Sequence, residues 1–118
     1  MTRESRSTHK KALRLLSEHP EIISIDPIRV VSVSIEPLLF YRGSFYSQPD
    51  LIYELKERGQ IRAIIVEYKS NGNQRLIEKG EGQLEKAVDF YQKIKGIPTE
   101  GRVITGTSYP EIKKRIHR

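Results

Sequence analysis

The 118-residue chain contains no cysteine, no tryptophan and a single methionine. Without cysteine there can be no disulfide framework, no thiolate metal site and no cysteine nucleophile. No apolar run approaches the ~20 residues that a membrane-spanning helix needs. The opening stretch, MTRESRSTHKK, lacks the apolar core of a secretory signal. A cytoplasmic location is therefore the expectation. His9, His19 and His117 show no HxxxH-type spacing, which argues against a zinc site. Gly72 and Gly80 match neither a P-loop nor a dinucleotide fingerprint.

What the chain does have is charge. Charged residues make up 31% and hydrophobic residues 36%, with a net charge of +6 and a pI of about 9.7. That length and composition suit one domain with one real core and a dense ionic surface. A basic surface favours polyanions, of which nucleic acid is the commonest inside a cell. Bases gather at both ends: Arg3, Arg6, Lys10, Lys11 and Arg14, then Lys113, Lys114, Arg115 and Arg118.

The most informative stretch is Gln48 to Ser70. Two strand-like runs, Leu51 to Lys56 and Ile61 to Val66, flank the polar turn Glu57-Arg58-Gly59-Gln60, which is a hairpin signal. A hairpin symmetric about that turn sets Lys56 against Ile61 and, counting outward, Asp50 against Glu67. Directly opposed residues have Cβ atoms ~5 Å apart and share a face. Alternation puts Lys69 on the face of Glu67 and turns Tyr68 away. Two opposed carboxylates destabilise a strand pair, a local conflict typical of functional sites. A hard divalent cation would resolve it, since Mg²⁺ binds through one or two carboxylates and keeps several waters. The same spacing also suits an ordinary hairpin whose charged end lies in water, with Lys69 offsetting the acids.

Pro49-Asp50, sixteen intervening residues and Glu67-Tyr68-Lys69 resemble the signature of the PD-(D/E)XK nuclease superfamily. The resemblance covers roughly Val30 to Tyr109. It implies a restriction-endonuclease-like αβββαβ core, an α/β fold with a mixed central sheet flanked by helices. It further implies Asp50 and Glu67 as ligands of Mg²⁺ or Mn²⁺, the Tyr68 main-chain carbonyl as a further ligand, and Lys69 as the group that positions or activates the attacking water. In several branches a glutamate on the first helix completes the metal site, and Glu4 and Glu18 are the candidates. In RecB-like branches a helix glutamine after the motif strand lies near the site, which carries over to Gln83. Those branches favour a tyrosine one turn later, where this chain has Ala87.

The remaining elements follow from patterning. Ser7 or Thr8 would cap a helix to His19 with Ala12, Leu13 and Leu16 as its apolar stripe, ended by Pro20. From Ile22 the sequence turns β-branched, with Val31, Val33 and Ile35 alternating with Ser32 and Ser34. LLFYRGSFYSQ follows, a strand and a turn at Arg42-Gly43-Ser44 flanked by Phe40, Tyr41, Phe45 and Tyr46. Aromatics beside arginine suit base stacking and phosphate contact, and equally suit a core strand. Residues 70–82 read as a loop whose Arg75 and Lys79 would contact a phosphate backbone. A helix from about Glu81 to Lys95 buries Leu84, Ala87, Val88, Tyr91 and Ile94. A strand from Arg102 to Thr107 and a short tail helix complete the order α-β-β-β-α-β-α.

These readings converge on a metal-dependent nuclease acting on DNA ahead of RNA. Asp50, Glu67, Lys69 and Gln83 form its site. Lys10, Lys11, Arg42, Ser44, Arg75 and Lys79 bind the backbone, and a homodimer resembles the archaeal Holliday-junction resolvases. A non-catalytic nucleic-acid-binding or assembly module and a plain protein-interaction domain are the rival readings.

Overall fold

Two consecutive residues at the tip of one hairpin set the register of the central strand pair. Arg58 and Gly59 both take positive φ, 52° and 80°, the pairing that lets a two-residue turn follow the right-handed twist of its strands. Glycine reaches this region freely, whereas at Arg58 the conformation costs about 1 kcal/mol. In the computed structural model, which describes residues 6–70 and 74–116 with the side chains of 74–77 excepted, the strands joined here are β4 (Leu51–Glu57) and β5 (Gln60–Lys69). They pair antiparallel from Glu57↔Gln60 through Lys56↔Ile61 to Leu51↔Val66 without a slip, as the symmetric count predicts.

That register sorts the side chains into two cores. Leu51, Tyr53, Leu55, Ile64, Val66 and Tyr68 face helices α1 (Arg6–Glu18) and α3 (Tyr109–Ile116), meeting Ala12, Leu13, Leu16 and Ile112. On the other face Ile52, Ala63 and Ile65 meet Leu84 and Ala87 of helix α2 (Gln74–Asp89), together with Phe90 and Tyr91. Residues 63–68 are all buried, the pattern of a strand covered on both sides. The buried phenols are satisfied: Tyr53 donates to the Leu16 carbonyl at 2.7 Å and Tyr68 to the Thr107 carbonyl at 2.7 Å.

Strand β1 (Val30–Ile35) pairs antiparallel with β4, and a strand following α2 (Thr99–Thr105) pairs parallel with β5. Strands β2 (Leu39–Tyr41) and β3 (Ser44–Ser47) form a separate hairpin, so the strand after α2 is β6 and the main sheet runs β1-β4-β5-β6. The architecture is a mixed α/β fold with a four-stranded mixed sheet between helices. Among the described residues no helix is long and apolar enough to cross a membrane.

Several expectations need correction. Val31 does not point inward: pairing jumps from Val30↔Leu55 to Ser32↔Glu54, so Val31 is the extra residue of a bulge and is 55% exposed. Ile35 too is largely exposed, leaving Val30 and Val33 to pack on the core. The β-branched run after Ile22 opens as 3₁₀ turns, Pro20–Ile23 and Pro27–Arg29, each begun by a proline. Ser7 and Thr8 lie inside α1 and do not cap it. Helix α2 starts at Gln74, well before Glu81, and ends in a π-helical turn, Phe90–Ile94. Strand β6 begins at Thr99.

Candidate active site

Asp50 and Glu67 come together at the open end of the β4–β5 ladder. Leu51↔Val66 is its last pair, and the two acids are the next residues outward. Each carboxylate binds a main-chain amide of the opposite segment. Asp50 Oδ2 accepts from Tyr68 N–H at 2.6 Å, and Glu67 Oε1 accepts from Asp50 N–H at 3.2 Å. Glu67 is also held from its other side by pairing with Val103 of β6. The remaining oxygens have nitrogen neighbours: His9 Nε2 lies 3.3 Å from Asp50 Oδ1, and Lys69 Nζ lies 4.0 Å from Glu67 Oε2.

This is an expensive place for charge. Glu67 is 1% exposed and Asp50 is 9% exposed. Burial first, and then the Asp50 charge, push the Glu67 carboxyl up from 4.5 to about 8, against the pull of Lys69 and of the Asp50 N–H. Glu67 therefore holds its proton to higher pH than a free glutamate does.

His9 is the residue that sequence reasoning passed over. It continues the α1 stripe of Ala12, Leu13 and Leu16 at helical spacing, one turn toward the N-terminus. Its ring lies 5.6 Å from that of Tyr68. The first helix thus brings an imidazole to the acid pair. Glu18 does not join the site: its carboxylate is 56% exposed and pairs with Arg14 at 3.6 Å. Glu4 lies outside the described residues.

Gly80 is the other omission. Helix α2 passes the site here so closely that a Cβ would come within 3.2 Å of Lys69 Cε and 3.8 Å of Glu67 Cβ. The absent side chain leaves the space in which the lysine stem lies. Gln83, one turn further, has an exposed side chain, while its carbonyl receives the Ser47 hydroxyl at 3.4 Å.

Of the basic residues expected to hold a backbone, Lys10 and Lys11 follow His9 directly and are exposed. Lys79 is exposed beside Gly80, and Arg42 and Ser44 are exposed at the β2–β3 turn. The side chain of Arg75 and all of Gly72 lie outside the described residues. Among the described residues, no group of three or more His, Cys, Asp or Glu is placed to hold a metal ion. Two carboxylates are enough protein ligands for a largely hydrated Mg²⁺ or Mn²⁺.

Compared with known proteins, the chain matches no family model and no curated protein.

Proposed function

We propose that the chain is a metal-dependent nuclease of the PD-(D/E)XK type, with a restriction-endonuclease-like core, hydrolysing phosphodiester bonds in DNA ahead of RNA. The observation that carries this reading is the buried meeting of Asp50 and Glu67 with the Lys69 amine beside them, in a chain of net charge +6. Asp50 and Glu67, with the Tyr68 carbonyl, would hold Mg²⁺ or Mn²⁺. When bound, the ion supplies Lewis acidity toward the phosphate and acidifies water.

The chain's own groups account for the rest. Glu67 would serve as a ligand in its ionised form, its proton released to solvent. Lys69, its stem seated against Gly80, orients the attacking water and offsets negative charge growing on the phosphate. His9 fixes the outer oxygen of Asp50 and so acts as a positioning residue. Gln83 reaches the same water or the scissile phosphate from α2. Lys10, Lys11, Arg42, Ser44, Arg75 and Lys79 hold the backbone, so affinity falls steeply with salt. A homodimer working in the cytoplasm, able to cut two strands with one geometry, belongs to the same proposal.

The test is incubation with labelled linear duplex, single-stranded and four-way-junction DNA in Mg²⁺, Mn²⁺ or EDTA. Cleavage that requires metal and disappears in Asp50→Ala and Lys69→Ala supports the enzyme. Salt-sensitive binding without cleavage supports instead a nucleic-acid-binding module, the reading favoured by Glu18 standing away from the site. Neither cleavage nor binding leaves a protein-interaction domain.

A further inference from the structure

The β2–β3 hairpin stands outside the main sheet yet is fastened to the body. Leu39 is buried, the Tyr46 ring lies 5.8 Å from Phe90, and Ser47 reaches the Gln83 carbonyl. Its outer surface is strongly apolar. Phe40 and Phe45 pair across the hairpin with rings 6.4 Å apart, edge to face, and are 54% and 60% exposed. Tyr41 is 40% and Leu38 56% exposed nearby. A cluster of exposed aromatics this dense marks a binding surface, because scattered single hydrophobics are the ordinary case.

Charge identifies the occupant. No acid occurs between Leu38 and Pro49. Arg42, at the turn with φ of 54°, lies 5.2 Å over the Tyr41 ring, and among the described residues no carboxylate pairs with it. A ring surface with an uncompensated guanidinium at its tip offers π faces and phosphate contact together, as in single-strand binding sites. A second copy of this chain would bring another +6 charge and another Arg42 against it. Intact duplex keeps its bases stacked inside, where Phe40 and Phe45 cannot reach them. The hairpin also leads straight into the site: Asp50 lies five positions after Phe45, at most about 18 Å of chain.

We infer that the β2–β3 hairpin is a stacking platform for unpaired bases, with Phe40 and Phe45 as its rings and Arg42 as its phosphate contact. Resting on the nuclease reading, this makes the substrate nucleic acid that is single-stranded over the few nucleotides beside the cut.

The experiment is fluorescence anisotropy of the full chain with labelled single-stranded and duplex DNA of one sequence, in EDTA, for wild type and the F40S/F45S double variant. Circular dichroism checks that the variant is folded, which the exposure of both positions favours. The expected result is tighter single-strand binding by the wild type, with a loss of about ten-fold or more in the variant and duplex affinity within two-fold. Equal affinities in the wild type, an unchanged variant, or equal losses on both DNAs overturn the platform. A wild-type dimer that becomes a monomer in the variant, by light scattering, also overturns it and makes the face a self-interface. Cleavage in Mg²⁺ is measured separately. Single-strand binding through these rings without cleavage sinks the nuclease reading and keeps the platform, whereas cleavage indifferent to F40S/F45S does the reverse.

Discussion

The two ends of the β4–β5 hairpin both gather carboxylates and cations, with opposite results. At the turn end, Glu57 Oε1 has Arg62 Nε at 3.0 Å and Arg29 at 3.3 Å; the Arg62 N–H is close enough to attract although not aligned as a hydrogen bond. Glu100 lies beside Arg102 and, at 3.6 Å, Arg62. Arg62 and then Arg29 hold Glu57 below the usual carboxylate range, and Arg102 does the same for Glu100. At the open end, Asp50 and Glu67 are buried with one lysine, and Glu67 is pushed up instead. Acids matched to arginines in water tie strands together cheaply. Acids buried against each other are pushed the opposite way, and that asymmetry separates an end that ties strands together from one that sets two carboxyls in conflict.

The sharpest way to break the comparison is at Asp50. Asp50→Ala should lower cleavage by roughly 10²–10³-fold or more, measured as turnover of labelled DNA in Mg²⁺. It also removes the buried bond that Asp50 accepts from Tyr68 N–H, at a cost of about 1–3 kcal/mol in urea denaturation.

Next comes pH. The Glu67 carboxyl titrates higher in the folded chain than its ordinary 4.5, so the folded state binds the extra proton. Its contribution to stability is complete below about 4.5 and is lost as pH rises toward about 8. Glu57 and Glu100, shifted downward, act oppositely: their contribution is present above their ordinary range and is lost as pH falls through the lowered values. Urea midpoints taken from pH 3 to 9 should show both limbs, and Glu67→Gln should remove the alkaline one alone. Mg²⁺ should raise the melting temperature more at pH 8.5 than at pH 6, because binding displaces the Glu67 proton.

A smaller effect is expected at Gly80. Gly80→Ala places a methyl within 3.2 Å of Lys69 Cε, which should shift the amine and slow cleavage several-fold. Stability should change by no more than about 1 kcal/mol, since alanine favours the helix that the contact disfavours. The smallest response belongs to the turn end. Arg62→Gln should leave cleavage unchanged in the same assay and barely move the thermal midpoint, as solvent-screened pairs do.

Much of the site was legible because a hairpin is a counting problem. Arg58-Gly59 announced the turn, and alternation then assigned Asp50, Glu67 and Lys69 to one place and Tyr53 and Tyr68 to the core. Counting failed wherever tertiary contact decides. His9 was read only for zinc-ligand spacing, although it is the first member of the α1 stripe and gains meaning only from Asp50, 41 positions away. The Gly-, Asn- and charge-rich run of residues 70–82 read as a loop, and so hid the first turns of α2. At Gly80 the glycine is needed for what passes beside it, which no local pattern announces. Val31 obeyed the alternation rule on paper, but the bulge inserts it and reverses its direction.

Tyr68 joins the two halves of this molecule. Its amide hydrogen is held by Asp50, its ring lies in the core beneath α1 and α3, and its hydroxyl is held by the Thr107 carbonyl. A local fluctuation cannot free that amide without moving the acid pair, and the acid pair cannot part without disturbing the packing behind it. Deuterium uptake at this one position therefore serves as a built-in gauge of whether the acids remain aligned.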